Sequence, residues 1–405
     1  MPVEVASTAQ AQQHSSHNRY NDGKTRMNKL CRQLSIESPS VVGRECVFSI
    51  DVPVPDVPSQ GARIRVVCAG ACYHPRRSPS LSSLTSVSSS SSLATEVSVE
   101  TDFPIMPNQH HHGFRDAALF PGYEVAGVVE SLGSGVPDDC EYKLGDRVIL
   151  YPFDGIPNGY VEYLVVHDLK YLIKIPDAMP LSVAAMLPAG ALLAMNTVFA
   201  VHEHVQELVK QRGQSGVCKI LIVGTGGLAL WALRIAAYYF SNMKDKVMIT
   251  VASLKDDVLL MDPEFRRVNV VQWNEGLYEK QLIERTIDAC QGPVDVVIDF
   301  GTTSRSLHRS MQCLSKGGVV FIIKDVADRL LPKFSRRAEE LEQNIKSVEP
   351  GSLEQLRELV ALVGSGEIEP PPHTVYSADD AIEVVQKLCH SEIHGRAILR
   401  FYPTD

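Results

Sequence analysis

The chain has no C-x-x-C pair, no basic block and no apolar run long enough to cross a bilayer. Each absence excludes something. The nine cysteines (31, 46, 68, 72, 140, 218, 290, 313 and 389) are scattered and odd in number, which argues against a disulfide framework and for a reducing compartment. Cys68, Cys218 and Cys313 sit in apolar segments, where a thiol is most simply a small core residue. A formal net charge of −9 over 405 residues, without clustered Lys or Arg, is unlike a nucleic-acid binder. Spanning a membrane takes about 20 consecutive apolar residues. No apolar h-region follows Met1, so the expectation is a cytoplasmic protein with neither membrane nor nucleic-acid partners.

What is present divides unevenly. Residues 1–40 are polar, rich in Ser, Gln and Asn and without periodicity, and are expected to be disordered. A second biased stretch, residues 78–101 with Ser88 through Ser92, cannot build a core and reads as a flexible surface insertion. Between and after them the sequence is β-prone to about Pro180, with Ile64, Val66 and Cys68 alternating and Gly145-Asp146 turning into Arg147-Val148-Ile149-Leu150. From about Pro188 strands alternate with helices. Strands are expected at 219–223, 247–252, 268–272, 295–299 and 318–323, a pattern that implies a parallel sheet with helices on its faces. The tail carries a helix over 353–363, a second from Ala378 to Cys389 capped by Ser377, and a closing strand from Ala397 to Phe401.

The most specific stretch is Lys219-Ile220-Leu221-Ile222-Val223-Gly224-Thr225-Gly226-Gly227-Leu228-Ala229. A β-rich run enters a glycine turn and an apolar helix leaves it, which is the context that makes G-x-G-x-x-G/A a dinucleotide signal. Gly224 permits the tight turn, Gly226 lets the backbone approach a pyrophosphate, and Ala229 allows close helix–strand packing. The new helix directs its free N–H groups at the phosphates. Gly224, Thr225, Gly226, Gly227 and Leu228 are therefore the expected cofactor-binding residues.

Taken in order, several motifs resemble the medium-chain dehydrogenase/reductase superfamily, nearest its zinc-type alcohol dehydrogenase branch. They are Val67-Cys68-Ala69-Gly70-Ala71-Cys72, Phe120-Pro121-Gly122-Tyr123-Glu124-Val125-Ala126-Gly127, Leu144-Gly145-Asp146-Arg147-Val148, Leu187-Pro188-Ala189-Gly190 and the glycine turn. Val294 to Asp299, Lys316-Gly317-Gly318, Gly366 to Pro371 and Gly395-Arg396-Ala397-Ile398-Leu399 complete the set. The resemblance implies an α/β protein: a β-rich GroES-like catalytic domain completed by the C-terminal tail, with an inserted Rossmann doubly wound parallel sheet and the active site in the cleft. On this footing residues 41–190 and 345–405 form the catalytic domain and 191–344 the dinucleotide-binding domain. It also implies a homodimer, through the stretch Asn344 to Val348.

The departures from the resemblance are equally informative. Zinc enzymes of that branch hold the metal with a Cys, a His and a Cys or acid. Here the first position is Cys72, the second is Tyr123 and the third is Ala189. A catalytic zinc needs about three protein ligands, so no zinc is expected. Nor does Tyr151 to Gly159 contain the cysteines of a structural zinc lobe. His110-His111-His112 could form another metal site with Cys72 or Glu124. A solvated histidine run beside a low-complexity insertion is the preferred reading.

NAD enzymes end the second Rossmann strand with an acid for the ribose hydroxyls. Here that position falls on Ala252 or Ser253, followed by Lys255, which suits a 2′-phosphate; Asp256 keeps NAD possible. The expected cofactor is NADP, with Ser253 and Lys255 at its 2′-phosphate. The expected activity is zinc-independent transfer of hydride between a nicotinamide and a small carbonyl, alcohol or activated alkene. Negative charge left on oxygen must be stabilised or protonated. The candidate donors are Tyr123 at the lost His position and His74 at the family's proton-relay position, beside Cys72. The alternative is a non-catalytic nucleotide-binding or interaction protein of the same descent.

Overall fold

The computed structural model of the protein describes residues 29–36, 47–71, 123–152, 159–213, 216–224, 227–253, 268–273, 278–301, 303–389, 392–393 and 395–402. Its first part holds strands β1 (Leu30–Ile36), β2 (Val47–Pro53), β3 (Ala62–Ala71), β4 (Val125–Leu132), β5 (Arg147–Leu150), β6 (Tyr163–Val166) and β7 (Leu172–Lys174). A short helix α1 (Leu181–Ala184) and the long α2 (Leu192–Arg212) lead to β8 (Cys218–Val223), α3 (Gly227–Tyr239), β9 (Val247–Ser253), β10 (Asn269–Gln272), α4 (Glu279–Ala289) and β11 (Val294–Asp299). Then come α5 (Ser304–Cys313), β12 (Leu314–Ile323), α6 (Lys324–Glu340), β13 (Asn344–Val348), α7 (Leu353–Gly364), β14 (His373–Ser377), α8 (Ala381–Cys389) and β15 (Arg396–Arg400).

Six strands form one parallel sheet in the order β10-β9-β8-β11-β12-β13. Numbered from β8, that is the doubly wound order 3-2-1-4-5-6. Strands covered on both faces need continuous apolar runs rather than alternation, and Ile220, Leu221, Ile222 and Val223 are all at most 2% exposed. The order reverses between β8 and β11, so their carboxyl ends open a crevice, the place where such sheets bind ligands.

The β-rich part is a seven-stranded sheet in the order β14-β15-β3-β4-β5-β7, with β6 pairing β3. β15 lies between β14 and β3, so the last strand of the chain completes a sheet begun by the first hundred residues. This is the β-rich layer with a C-terminal contribution that the resemblance implies, and its neighbour is the expected Rossmann sheet.

The expected disorder over residues 1–40 fails at its far end. Leu30–Ile36 is strand β1, paired antiparallel with β2. Its polar residues (Arg32, Gln33, Ser35) hide it from pattern reading. The strand is held by pairing and by contacts from elsewhere: Cys31 and Leu34 are 3% exposed, and Leu34 N donates to Tyr160 O at 2.7 Å. Residues 1–28 and the serine-rich stretch 78–101 lie outside the described residues.

Local signals mark the helix ends. α2 stops at Gly213, whose φ of +67° is the left-handed conformation glycine adopts cheaply. α7 opens with a reciprocal capping box between Ser352 and Gln355. Ser377 does cap the next segment, but its first residues, Ala378–Asp380, wind as a 3-10 turn ahead of α8. Among the described residues no helix is long and apolar enough to cross a membrane.

Candidate functional site

The glycine turn lies at the carboxyl end of β8, on the crevice between β8 and β11. Gly224 has φ +151°, a conformation that residues with side chains rarely adopt, and its N–H donates to Ala252 O at 3.0 Å. A Cβ there would stand 3.2 Å from Ala229 Cβ and 3.3 Å from Phe300 Cβ. Both neighbours are fixed in packed structure, so the turn has no room for a side chain. Three residues on, Gly227 opens α3. Thr225 and Gly226 lie outside the described residues.

Motifs far apart in sequence meet at the start of α3. A Cβ on Gly227 would fall 2.4 Å from Arg396 Cδ and 3.0 Å from its Nη1. Arg396, at the start of β15, forms an ion pair with Glu124, which precedes β4. The other carboxylate oxygen of Glu124 accepts the Gly190 N–H at 3.1 Å. A Cβ on Gly70 would fall 2.1 Å from Glu124 Oε2, and one on Gly190 would stand 3.2 Å from Oε1 and 3.9 Å from Leu228 Cδ2. Thus Gly70, Glu124, Gly190, Gly227, Leu228 and Arg396 surround one point between the β-rich sheet and the nucleotide sheet.

The charges there are out of bulk water. Glu124 is 5% exposed, and the side chains of the pair are 6% and 15% exposed. Buried charges persist only when paired and hydrogen-bonded. A guanidinium carries five N–H donors in a rigid fork that matches phosphate geometry. Beside a helix N-terminus, whose N–H groups carry partial positive charge, it makes the spot attractive to an anion.

Asp299, the last residue of β11, lies on the other side of the switch point. Its carboxylate accepts Ser306 Oγ at 2.7 Å, Ser310 Oγ at 2.8 Å and Gly301 N at 2.8 Å. Complete burial nevertheless pushes its pKa above the usual carboxylate range. The bond to Gly301 fixes the turn that brings Phe300 against Gly224, and Phe300 N donates to Val223 O at 2.9 Å.

Of the other sequence-based candidates, Tyr123 is 8% exposed within the apolar cluster of the β-rich sheet, next to Glu124 in the chain. Ala189 packs at the edge of the same cluster, and its neighbour Gly190 bonds Glu124. Position 123 is thus next to Glu124 in the chain, and position 189 is next to the glycine that bonds its carboxylate. Ser253 ends β9 at 3% exposure, and its carbonyl accepts Trp273 N at 2.7 Å. Cys72, His74, the His110 to His112 run and Lys255 lie outside the described residues. No group of three or more His, Cys, Asp or Glu suited to a metal occurs among the described residues. Sequence reasoning gave Arg396 and Asp299 no role, although each is a charged residue at the end of a strand whose middle is apolar.

Comparison with known proteins gives the same picture. Residues 278–399 match the family model described as zinc-binding dehydrogenase. A zinc-type alcohol dehydrogenase-like protein of Schizosaccharomyces pombe is 24% identical over 304 residues, which is 70% of this chain and 82% of that protein. The quinone oxidoreductase of Rattus norvegicus is 26% identical over 203 residues, covering 50% of this chain and 54% of that enzyme. Among solved structures, acetophenone reductase from Geotrichum candidum in complex with NAD superposes with a TM-score of 0.59 at 18% identity, covering 92% of this chain and 97% of that one. This last likeness is one of fold.

Proposed function

The chain belongs to the medium-chain dehydrogenase/reductase superfamily, on its alcohol dehydrogenase-like side, and on that premise we propose that it is a zinc-independent, NADP-preferring oxidoreductase acting on a small carbonyl, alcohol or activated alkene. The observation that carries this reading is the approach of Arg396 to Gly227 at the head of α3, on the crevice between β8 and β11.

The residues present fit a dinucleotide. Gly224 makes a turn that has no room for a side chain, Gly227 opens α3, and Arg396 and the first N–H groups of α3 suit a pyrophosphate. Ser253, with Lys255 two residues on, suits a 2′-phosphate at the end of β9. When bound, the nicotinamide supplies or accepts the hydride; the protein supplies position and electrostatics. Glu124 holds Arg396 in place and ties it to Gly190, so one carboxylate links the arginine beside α3 to the segment before α2.

The residues present do not fit a catalytic zinc. The phenol of Tyr123 and the methyl of Ala189 occupy the positions that the resemblance gives to ligands, and the Glu124 carboxylate is already engaged by Arg396 and Gly190. The negative charge that develops on the substrate oxygen is met instead by a hydrogen-bond donor, for which Tyr123 and His74 remain the candidates. A homodimer joined through β13, whose outer edge pairs with no strand among the described residues, completes the reading.

The test is a nucleotide screen by thermal unfolding, followed by turnover on aldehydes, quinones and enones and by metal analysis. A ligand at a hundred times its Kd stabilises by about 2.7 kcal/mol. No shift with NADPH or NADH overturns the reading. Binding without turnover makes the chain a non-catalytic nucleotide binder. Tyr123→Phe and His74→Ala variants that both keep full turnover remove those two residues from the chemistry, and stoichiometric zinc in an active preparation removes the zinc-independent reading.

A further inference from the structure

At the end of the nucleotide sheet away from the crevice, α2 and the last turn of α3 enclose a hollow of about 500 Å³. It is lined by His202 and Gln206 of α2, Tyr238 and Tyr239 of α3, and Met243 in the 3-10 turn that follows. Small-molecule pockets measure about 300–1,000 Å³. α3 begins at the glycine turn and runs for 13 residues, so at 1.5 Å per residue the hollow lies roughly 18 Å from the phosphate site. It sits where the chain leaves α3 for the start of β9, at the amino ends of the strands.

The walls of the hollow are aromatic and anchored. The rings of Tyr238 and Tyr239 stand at 87° with their centroids 5.3 Å apart. The imidazole of His202 is tilted against Tyr239 at 5.7 Å and against Phe240 at 5.3 Å. Tyr239 Oη donates to Glu358 Oε1 at 3.1 Å, and the Tyr238 hydroxyl bonds Glu367, so both rings are tied to α7 and the turn after it. Burial pushes the pKa of His202 below the usual imidazole value, which keeps its ring neutral at pH 7. A corner of perpendicular rings offers both a face and an edge, the two arrangements in which a further ring packs well.

The next turn of α2 carries charge. A second hollow, of about 490 Å³, is lined by Glu203, Gln206, Glu207 and Lys210, and Gln206 belongs to both. Glu203 and Glu207 are four residues apart on one helix face, where like charges repel. Neither forms an ion pair among the described residues, and Lys210 leaves this half of the groove with two acids against one base. An aromatic corner continuous with two unpaired carboxylates is complementary to a flat ring that carries an ammonium on a short arm. From His202 to Glu207 the helix rises about 7.5 Å, within reach of an arylethylammonium. We propose that this groove binds a small aromatic amine, its ring against Tyr238, Tyr239 and His202 and its ammonium between Glu203 and Glu207. The neutral state of His202 is part of the fit, since an imidazolium would repel the amine. The site stands apart from the crevice and requires neither dinucleotide nor turnover there.

The experiment is isothermal titration calorimetry with tyramine, N-acetyltyramine and n-butylamine. The first carries ring and charge, the second only the ring, the third only the charge. The wild type should bind tyramine, bind N-acetyltyramine about five-fold more weakly, the upper scale of an exposed ion pair, and ignore n-butylamine. The double variant Glu203→Gln/Glu207→Gln should lose about the same five-fold for tyramine and nothing for N-acetyltyramine. Tyr238→Ala should weaken both ring-bearing probes by about five-fold. Glu203 and Glu207 are exposed, and the glutamines remove a repulsion, so the double variant should keep its unfolding midpoint. A wild type that does not bind tyramine at millimolar concentration overturns the proposal. Tyramine affinity that the double variant leaves unchanged also overturns it, and would place the amine elsewhere, the crevice included. Equal affinity of the wild type for tyramine and N-acetyltyramine does the same.

Discussion

Arg396 and Glu124 stand 272 residues apart in sequence and share one buried ion pair. Removing one partner of such a pair leaves the other charged and unpaired, which typically costs about 3–5 kcal/mol. Arg396→Ala is therefore expected to lower stability by that order, measured by urea unfolding. Glu124→Gln keeps a hydrogen-bonding group against Gly190 and should cost less. Both variants should weaken NADPH. An Arg396→Ala protein as stable as wild type would show that the pair contributes nothing net.

Gly227→Ala separates ligand binding from folding. Alanine is the better helix former by up to about 1 kcal/mol, but its Cβ would lie 2.4 Å from Arg396 Cδ. The side chain of Arg396 is flexible enough to move aside, so the fold should survive. The displaced guanidinium should weaken NADPH and 2′-phospho-ADP-ribose alike, with little change in the unfolding midpoint. Undiminished affinity for both would mean that Arg396 does not face the phosphates.

Two aspartates of β11 give pH dependences of opposite sign. Burial acts to raise the pKa of Asp295, but the two-pronged bond from Arg212, at 2.5 and 2.9 Å, and the Lys219 N–H at 2.9 Å hold it below its ordinary value. A depressed folded pKa stabilises above the unfolded value, about 3.9, and that contribution is lost as pH falls through the folded value. Asp295→Asn should flatten the loss of stability on acidification. Asp299 is shifted upward by burial, so the wild type loses stability as pH rises from the unfolded value through the folded one. Asp299→Asn should gain on the wild type over that interval. Unfolding midpoints collected from pH 3 to pH 8 check both signs.

The dimer reading makes a hydrodynamic prediction. Sedimentation should give twice the 44.5 kDa of one chain. Asn344, Lys346 and Ser347 of β13 are exposed, and an added charge on an open strand edge opposes pairing. Ser347→Lys should shift the protein toward monomer with its unfolding midpoint little changed. A monomeric wild type, or a variant that sediments unchanged, refutes pairing through this edge.

Much of this fold is legible in sequence for a simple reason. Parallel strands buried on both faces must be continuous apolar runs, so all five strands expected from β8 to β12 are present in the structure. β1 is illegible because its polar residues carry no such run and its partner lies beyond a turn. The glycine turn is readable because Gly224 answers to local sterics alone. Arg396 is not: a lone arginine between Gly395 and Ala397 acquires meaning only when β15 pairs with β3 and brings it to Glu124.

The insertion of β15 between β14 and β3 also sets an order of events during synthesis. The glycine turn and its helix are complete once residue 239 has been made, yet the arginine that faces them arrives 157 residues later. Until the ribosome has released the chain as far as β15, Glu124 lacks its arginine and the β-rich sheet lacks an interior strand. A nascent chain can therefore fold its nucleotide sheet early but gains its anion site last. Nucleotide-dependent resistance to protease should appear only on chains that extend through Arg400 beyond the exit tunnel.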